Sequence, residues 1–403
     1  MKQLITIAWR NVWRNKLRST VVILSIVLGL WGGLFMMGLA LGLNEQRLNS
    51  AINSSLAHVQ IHHPKFEDDY NKKYTLIEGV NIKKQLQEMP FVSGFSERFV
   101  LPGLAATSKG NYGIKILGIT PEQEQLTTDI STSLIEGTYF TTFKNNPILV
   151  GQKLAEQLGL KVQSKVVLSF QDKDNQTISK SFRVEAIYKT ANSMYDQLHV
   201  FVSQEDLASL IGIHEGGHEL LIKCKSLDDA PKVQSVLKTS NLVQRWDQRA
   251  PELGYAQQIM GSFMYIFIGI ILMALAFGII NTMLMAILER QSELGMLMSI
   301  GMNKFKIFSM IVMETLFLVV FALPMGMILA QKTIGYFSTQ GIDLSIVAKG
   351  LENVGLEAVI YPFLSSEYYF NITIMTTLVA LVSGLIPARR ALKINPAEAV
   401  KVI

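Results

Sequence analysis

Four stretches of roughly 20 mostly apolar residues constrain this chain more than any other feature, because a helix of that length crosses the hydrocarbon core of a bilayer. They cover residues 20–43, 257–288, 307–332 and 370–388. The first, second and fourth carry no charged side chain over most of their length, and the third contains Glu314. We therefore predict an α-helical membrane protein with four transmembrane helices.

The distribution of basic residues predicts how these helices are oriented, since Lys and Arg collect on the cytoplasmic side. Basic residues precede the first stretch, lie between the second and third, and follow the fourth: Lys2, Arg10, Arg14, Lys16, Arg18, Arg290, Lys304, Lys306, Arg389, Arg390, Lys393 and Lys401. The 335–369 segment has only Lys349 besides its acids. Both termini and the 289–306 loop are thus predicted to be cytoplasmic, with residues 44–256 and 333–369 outside.

Segment 1–19 has apolar residues at helical spacing and arginines on another face. This pattern predicts an amphipathic helix along the cytoplasmic interface; one continuous helix entering the membrane is the alternative. The 389–403 segment is expected to form a cytoplasmic tail.

Composition supports a membrane protein and excludes other classes. The chain of 403 residues is 49% hydrophobic and 17% charged, against about 25% charged in soluble proteins. Its net charge of +5 comes from basic residues beside apolar stretches, so a nucleic-acid partner is not expected. The one cysteine, Cys224, rules out an internal disulfide.

Residues 44–256 are long enough to form a folded domain. Apolar or alternating runs predict strands, and helical patterns occur between them. The predicted strands are 58–62, 113–117, 148–150, 165–170, 181–187, 198–202 and 219–223; the predicted helices are 152–158, 204–211 and 228–239. We expect a mixed α+β extracytoplasmic domain between the first and second helices. Residues 44–55 and 251–258 are compatible with helical extensions that form a stalk.

Two groups of histidines raise the question of a metal site. His214-Glu215-Gly216-Gly217-His218 matches the H-E-x-x-H zinc-protease pattern, but its two glycines disfavour a helix, and a solvent-exposed loop is the alternative. His58 and His62 would share one face of a strand about 13 Å apart, too far for one ion. Strand-surface histidines are expected there, and no metal site is predicted.

Several residues within the apolar stretches are candidates for helix contacts. Gly29, Gly33, Gly38 and Gly42 form two GxxxG spacings, which permit close approach of another helix. Glu314 is an intramembrane acid, expected either to make a polar contact with another helix or to reach the interface.

The chain resembles the FtsX-like permease family, which includes lipoprotein-releasing permeases and the membrane part of MacB-type macrolide exporters. The stretch from Glu289 to Met302 and the stretch from Ile386 to Val400 are similar to two of its motifs, while Ile116–Pro121 and Gly151–Leu160 resemble its periplasmic core domain. The resemblance implies that the 289–306 loop is a coupling loop for a separate ATPase. The implied coupling residues are Glu289, Arg290, Glu293, Leu294, Gly295, Met296 and Gly301.

The same resemblance implies partners and a mechanism. Two ATPase copies would bind ATP, since this chain has no G-x-x-x-x-G-K-[ST] motif and needs no cofactor of its own. A second permease, identical or paralogous, would complete a complex in the bacterial inner membrane that works by mechanotransmission.

Three functions follow as hypotheses. The first is an ABC permease, not itself an enzyme, that extracts or exports a periplasmic or membrane substrate, with a lipoprotein or another amphiphile preferred. The second is an ATP-driven regulator of a periplasmic cell-wall hydrolase. The third is a membrane-anchored zinc protease.

Overall fold

The computed structural model describes residues 2–140, 146–213, 216–353 and 355–393. It contains two compact units. The helical unit comprises Met1–Asn44, Gln258–Asp343 and Ile360–Ile403, and the sheet unit comprises Glu45–Gln257 and Leu344–Val359. Ile394–Val400 of the family motif, His214 and Glu215 lie outside the described residues.

The first half of the chain contains, in order, α1 (Lys2–Arg14), α2 (Lys16–Ala51), a π-helical turn (Ile52–Leu56), β1 (Val59–His62), α3 (Phe66–Asp69), α4 (Gly79–Gln87), β2 (Val92–Thr107), β3 (Gly110–Ile119), α5 (Pro121–Glu124), β4 (Leu134–Gly137), β5 (Pro147–Gly151), α6 (Gln152–Leu158), β6 (Lys165–Gln171), β7 (Thr177–Tyr188), α7 (Ser193–Leu198) and β8 (His199–Ser203).

The second half contains α8 (Gln204–Ile211), β9 (Glu219–Cys224), a 3-10 turn (Leu227–Asp229), α9 (Ala230–Val236), β10 (Leu242–Arg245), α10 (Trp246–Arg249), α11 (Pro251–Glu289), α12 (Gln291–Ser299), α13 (Lys304–Gln340), β11 (Ile342–Asp343), a 3-10 turn (Ser345–Val347), α14 (Ala348–Glu352), β12 (Val359–Ile360) and α15 (Ser366–Ala391).

Four of the described helices are long and apolar enough to span a bilayer: α2 with its π-helical turn, α11, α13 and α15. Their most apolar windows have mean hydropathies between 1.8 and 2.7. The four predicted apolar helices are therefore confirmed by length and composition. The helical extensions predicted for residues 44–55 and 251–258 are present as well.

The ends of these elements correct some predicted boundaries. Helix α13 continues to Gln340, so residues 333–340, predicted as loop, are helical. Helix α15 begins at Ser366 rather than at 370. A break at Asn15 separates α1 from α2, and the Asn15 side chain accepts a hydrogen bond from the Arg18 backbone N–H at 3.3 Å. Because Asn15 thus caps the first turn of α2, α1 is a separate helix and the continuous helix is wrong. The position of α1 along the cytoplasmic interface stays a prediction.

Helix α1 packs through one apolar face. Ala8 and Val12 are buried in the core of the helical unit together with residues of α2, α11 and α13. Trp9, on the flank of that face, contacts Phe317 and Phe321 of α13 at ring-centroid distances of 5.4 and 5.5 Å. The first helix is therefore an integral part of the helical unit.

The sheet unit is built on ten strands, counted over the described residues. Six of them, β2, β3, β8, β5, β7 and β6, pair in a closed ring, because β6 bonds to both β7 and β2. The pairs β3–β8 and β5–β7 are parallel, and the other four pairs in the ring are antiparallel. Closure leaves these strands without free edges.

Of the four remaining strands, β9, β1 and β10 extend the ring from β2, and β4 pairs with β7 in antiparallel fashion. The first half of β2 pairs with β9, and the order continues through β1 to β10. The long strand β2 therefore belongs to both parts of the sheet. Apolar side chains from the ring strands, α6 and α8 form one core, and those from β1, β9, α4 and α9 form another.

The mixed α+β domain predicted between the first and second apolar helices is confirmed. Helices α6 and α8 have the predicted bounds. Residues 228–239 were predicted as one helix, but only Ala230–Val236 form α9, preceded by the 3-10 turn. Pro231 explains why the α-helix begins at Ala230 rather than at 228, because proline suits only the first turn of an α-helix.

Candidate functional site

The segment between α11 and α13 is a compact helical hairpin, which we call the coupling hairpin (residues 289–306). Helix α12 ends in a Schellman turn: the Gly301 N–H donates to the Met298 carbonyl at 3.0 Å and the Met302 N–H to the Leu297 carbonyl at 2.9 Å. Gly301 has a φ of +98°, which favours glycine. Asn303 then caps α13 by accepting from the Phe305 N–H at 3.1 Å. The chain therefore reverses with few residues between helices.

Ionic contacts tie this hairpin to α1. Glu293 of α12 pairs with Arg14 of α1 and with Arg290 at 3.2 Å between Nε and Oε2. The hydrogen bond from Arg14, followed by that from Arg290, lowers the pKa of Glu293 despite partial desolvation. Glu293 is therefore anionic at neutral pH and holds two cations.

A second carboxylate lies deeper in the same network. Glu314 of α13 is 5% exposed; its Oε1 accepts from Asn11 Nδ2 at 2.7 Å and from Arg290 Nη1 at 3.2 Å. Arg290 thus bridges Glu293 and Glu314. The polar contact with another helix that was one expectation for Glu314 is confirmed, and its functional role remains a prediction.

A third ion pair is looser. Glu289 Oε2 lies 3.8 Å from Arg18 Nη1, and 46% of the Glu289 side chain is exposed. A pair at this distance contributes little to stability. The short contacts of the network therefore join Asn11, Arg14, Arg290, Glu293 and Glu314.

The predicted coupling residues divide between two faces of α12. Leu294 is 2% exposed and lies in the core of the helical unit, and Gly295 is buried as well. Met296 is 49% exposed. Ile300, which the sequence did not single out, is 78% exposed. Met296 and Ile300 thus give the hairpin an apolar outer surface.

Three of the four predicted packing glycines lie against neighbouring residues. A Cβ on Gly29 would lie 3.3 Å from Leu275, one on Gly38 would lie 3.3 Å from Ile334, and one on Gly42 would lie 2.3 Å from the Tyr361 carbonyl oxygen. A Cβ on Gly33 would have no atom of this chain within 4 Å. Gly29 and Gly38 thus lie against residues of α11 and α13, and a helix-packing role for the four glycines stays a prediction.

His58, His62 and His218 of the sheet unit are packed in its interior. His218 is buried; its Nδ1 accepts from the Val100 N–H and its Nε2 donates to the Lys72 carbonyl, both at 3.0 Å. Burial lowers the pKa of His218 to about 4. With both ring nitrogens occupied, His218 has no lone pair for zinc. The expectation of a solvent-exposed loop is wrong at this residue.

The expectation of strand-surface histidines is also wrong, since His58 is 8% and His62 0% exposed. His58 Nδ1 accepts from the Cys224 N–H at 3.0 Å, so these rings belong to the packed interior. Over the described residues, no group of three or more metal-ligating side chains is found.

Two protein-family models match the chain. One, described as a MacB-like periplasmic core domain, matches residues 19–240, more than half of the chain. The other, described as the C-terminal part of FtsX-like permeases, matches residues 265–396 and includes the whole coupling hairpin. The chain belongs to the FtsX-like permease family.

Similarity to individual proteins supports this family assignment. The chain is 22% identical over 422 residues to the lipoprotein-releasing system transmembrane protein LolE of Haemophilus influenzae, covering 97% of both proteins. It is 21% identical to LolC of Neisseria meningitidis, covering 80% of this chain and 79% of that protein. An uncharacterized ABC transporter permease of Methanocaldococcus jannaschii is 27% identical, and that match spans 55% of each protein.

Among solved structures, the periplasmic region of MacB from Actinobacillus actinomycetemcomitans aligns with 51% of this chain and 95% of its own length, at 11% identity and a TM-score of 0.36. The two family models and the LolC and LolE relatives identify this FtsX-like permease as an ABC transporter permease of the MacB, FtsX and Lol type. Its family works with a cytoplasmic ATPase.

Proposed function

We propose that this permease couples a separate ATPase to the extraction or export of a lipoprotein or another amphiphile by mechanotransmission. The observation that carries the proposal is the coupling hairpin, whose outer surface is apolar while its base is held by ion pairs. Met296 and Ile300 provide the docking surface, and Glu293 and Arg290 transmit displacement of α12 to α1 and α13. The chain itself performs no catalysis in this scheme.

The charge network supports this role. A hairpin that only connected two helices would not need Arg290 to bridge Glu293 and Glu314. Buried or half-buried ion pairs hold elements in a defined register more effectively than they stabilise the fold. Force applied to α12 therefore reaches α1 and α13 through directional contacts.

The relatives support the choice of cargo. LolC and LolE are named as transmembrane proteins of lipoprotein-releasing systems, and the LolE match covers nearly the whole chain. We accordingly propose a complex of two ATPases and two permeases, identical or paralogous, in the bacterial inner membrane with cytoplasmic termini.

The docking surface can be tested by adding a charge to it. Met296→Asp or Ile300→Asp should reduce binding of the ATPase at least about tenfold, because central apolar anchors dominate such interfaces. Gln291→Asp, which adds the same charge to the exposed first residue of α12, should leave binding within about twofold, since an acid is favourable at a helix N-terminus. The measurement is co-purification of the ATPase with each variant and the ATPase rate of the complex.

Equal binding by all three variants would refute the docking surface. If Met296→Asp and Ile300→Asp lose the ATPase as expected, the next measurement concerns the wild-type complex. The molecules that co-purify with it identify its cargo. A bound lipoprotein agrees with transport, whereas a bound cell-wall hydrolase without lipoprotein would replace it with the regulatory function.

A further inference from the structure

A cavity of about 430 Å³ opens in the sheet unit between the segment after α3 and the β6–β7 hairpin. Leu101, Leu104 and Phe170 form an apolar side of the cavity, and Asn71, Lys72 and Thr177 contribute polar groups. Asp69 also lines the cavity, and its carboxylate accepts hydrogen bonds from the Asn71 N–H at 3.0 Å and from Asn71 Nδ2 at 3.3 Å. Sites for small molecules have this size and this combination of apolar lining with a few polar groups. The coupling hairpin and the proposed transport cycle assign nothing to this cavity.

Lys72 distinguishes this cavity from an ordinary surface cleft. Lys72 as a whole residue is only 6% exposed. Within the described parts of the chain, its ammonium group has no hydrogen-bond or ion-pair partner. Burial lowers the pKa of Lys72, and Asp172 and Asp174 attract the charge only from beyond contact distance. The Lys72 Nζ is not among the fully buried unpaired atoms of the described residues and keeps contact with solvent, so an anion entering the cavity would gain a charge-assisted hydrogen bond without displacing another partner.

The backbone around Lys72 is held in place. Its carbonyl accepts the Nε2–H of buried His218 at 3.0 Å. Tyr70, two residues earlier, has a left-handed backbone with a φ of 50°, a strained conformation that often accompanies binding sites. Lys115, the neighbouring cation, is already engaged, because its Nζ donates to Tyr70 Oη at 3.2 Å. Among the described residues, Lys72 is therefore a cation without a partner on a backbone that is held in place.

We propose that this cavity binds a small amphiphilic anion, in which a carboxylate or phosphate group pairs with Lys72 and the apolar part lies against Leu101, Leu104 and Phe170. Charge-assisted hydrogen bonds to such oxygens are about twice as strong as neutral ones. The inference is independent of the proposed function, since it concerns a cavity within the sheet unit alone.

The test uses the full chain in lipid nanodiscs and titration calorimetry with three probes of similar size: phenyl phosphate, benzoate and the uncharged benzyl alcohol. At least one anion should bind about tenfold or more tightly than benzyl alcohol, as expected for a charged hydrogen bond. Tighter binding of phenyl phosphate points to a phosphate ligand, and tighter binding of benzoate to a carboxylate ligand; either result supports the site.

Variants then assign the binding to Lys72. Lys72→Gln should weaken anion binding at least about tenfold without lowering the thermal midpoint of unfolding, because it removes an unpaired charge. Lys72→Arg should bind within about threefold of wild type, and Lys73→Gln, at the exposed neighbouring lysine, within about twofold. Undiminished binding by Lys72→Gln, equal binding of benzyl alcohol, or no binding of either anion at about 10 mM would overturn the proposal.

Discussion

Two glutamates near the coupling hairpin show how burial determines the contribution of an ion pair to stability. Glu314 is 5% exposed and accepts from Asn11 and Arg290. The side chain of Glu289 is 46% exposed and lies 3.8 Å from Arg18. Removing one partner from a buried ion pair leaves an uncompensated buried charge and destabilises the protein, whereas exposed ion pairs contribute little to stability.

Glu314→Ala should therefore destabilise the protein by about 3 kcal/mol, because it leaves the Arg290 guanidinium without its buried partner. Glu289→Ala, the matched control, should cost no more than about 1 kcal/mol. Thermal unfolding of the detergent-solubilised variants measures both. Similar stability of the two variants would contradict the assigned network.

The sequence shows which polar residues lie within an apolar stretch, but it does not show which residues they contact. Glu314 was predictable as a candidate because it is the one acid in its apolar stretch. Asn11 and Arg290 lie 303 and 24 positions away from it, and no periodicity connects positions so far apart. Ile300 was missed because an exposed isoleucine beside a glycine turn looks the same in sequence as a buried one.

Among the helices, α2 carries glycines that have different neighbours despite the same spacing. An added Cβ at Gly42 would clash with the Tyr361 carbonyl oxygen at 2.3 Å, whereas at Gly33 it would meet nothing of this chain within 4 Å. The Phe363 N–H also donates to the Gly38 carbonyl at 2.9 Å. The segment before α15 thus rests on the Gly38–Gly42 stretch of α2.

Gly42→Ala should destabilise the protein by about 1–3 kcal/mol, the range for forced overpacking. Gly33→Ala should be neutral or slightly stabilising, because alanine favours a helix by up to about 1 kcal/mol. Unfolding midpoints of the two variants decide between these outcomes. A Gly42→Ala variant as stable as wild type would show that the close approach is not required.

The elements differ in how far the sequence determines them. Helices α6 and α8 were predicted with correct bounds because Gly159 and Gly212 follow them at positive φ, a strong stop signal. Strand β2 was missed because Glu97 and Arg98 interrupt any alternation of apolar residues. Arg98 is buried in the sheet only because it pairs with buried Glu124 of α5. Attraction from Arg98 outweighs the effect of burial and lowers the pKa of Glu124.

In the whole molecule, the two units have different roles in the proposed function. The helical unit contains the coupling hairpin, whose ion pairs connect α12 to α1 and α13. The sheet unit contains the closed ring of strands and the Lys72 cavity. An ABC permease of this family needs a cytoplasmic contact for its ATPase, and the coupling hairpin is the segment to which we assign that contact.

A single engineered thiol tests this assignment directly. Cys224 is the one native cysteine; it is 3% exposed, and burial raises its thiol pKa to about 11, so it should react poorly. Ile300→Cys places a thiol at a position that is 78% exposed in the native protein. We would measure its labelling by a membrane-impermeant maleimide in spheroplasts and in inverted vesicles, with and without the ATPase. We predict labelling only in inverted vesicles, and protection of the thiol when the ATPase is bound. Labelling in spheroplasts, or unchanged labelling with the ATPase bound, would show that the coupling hairpin is not the ATPase contact.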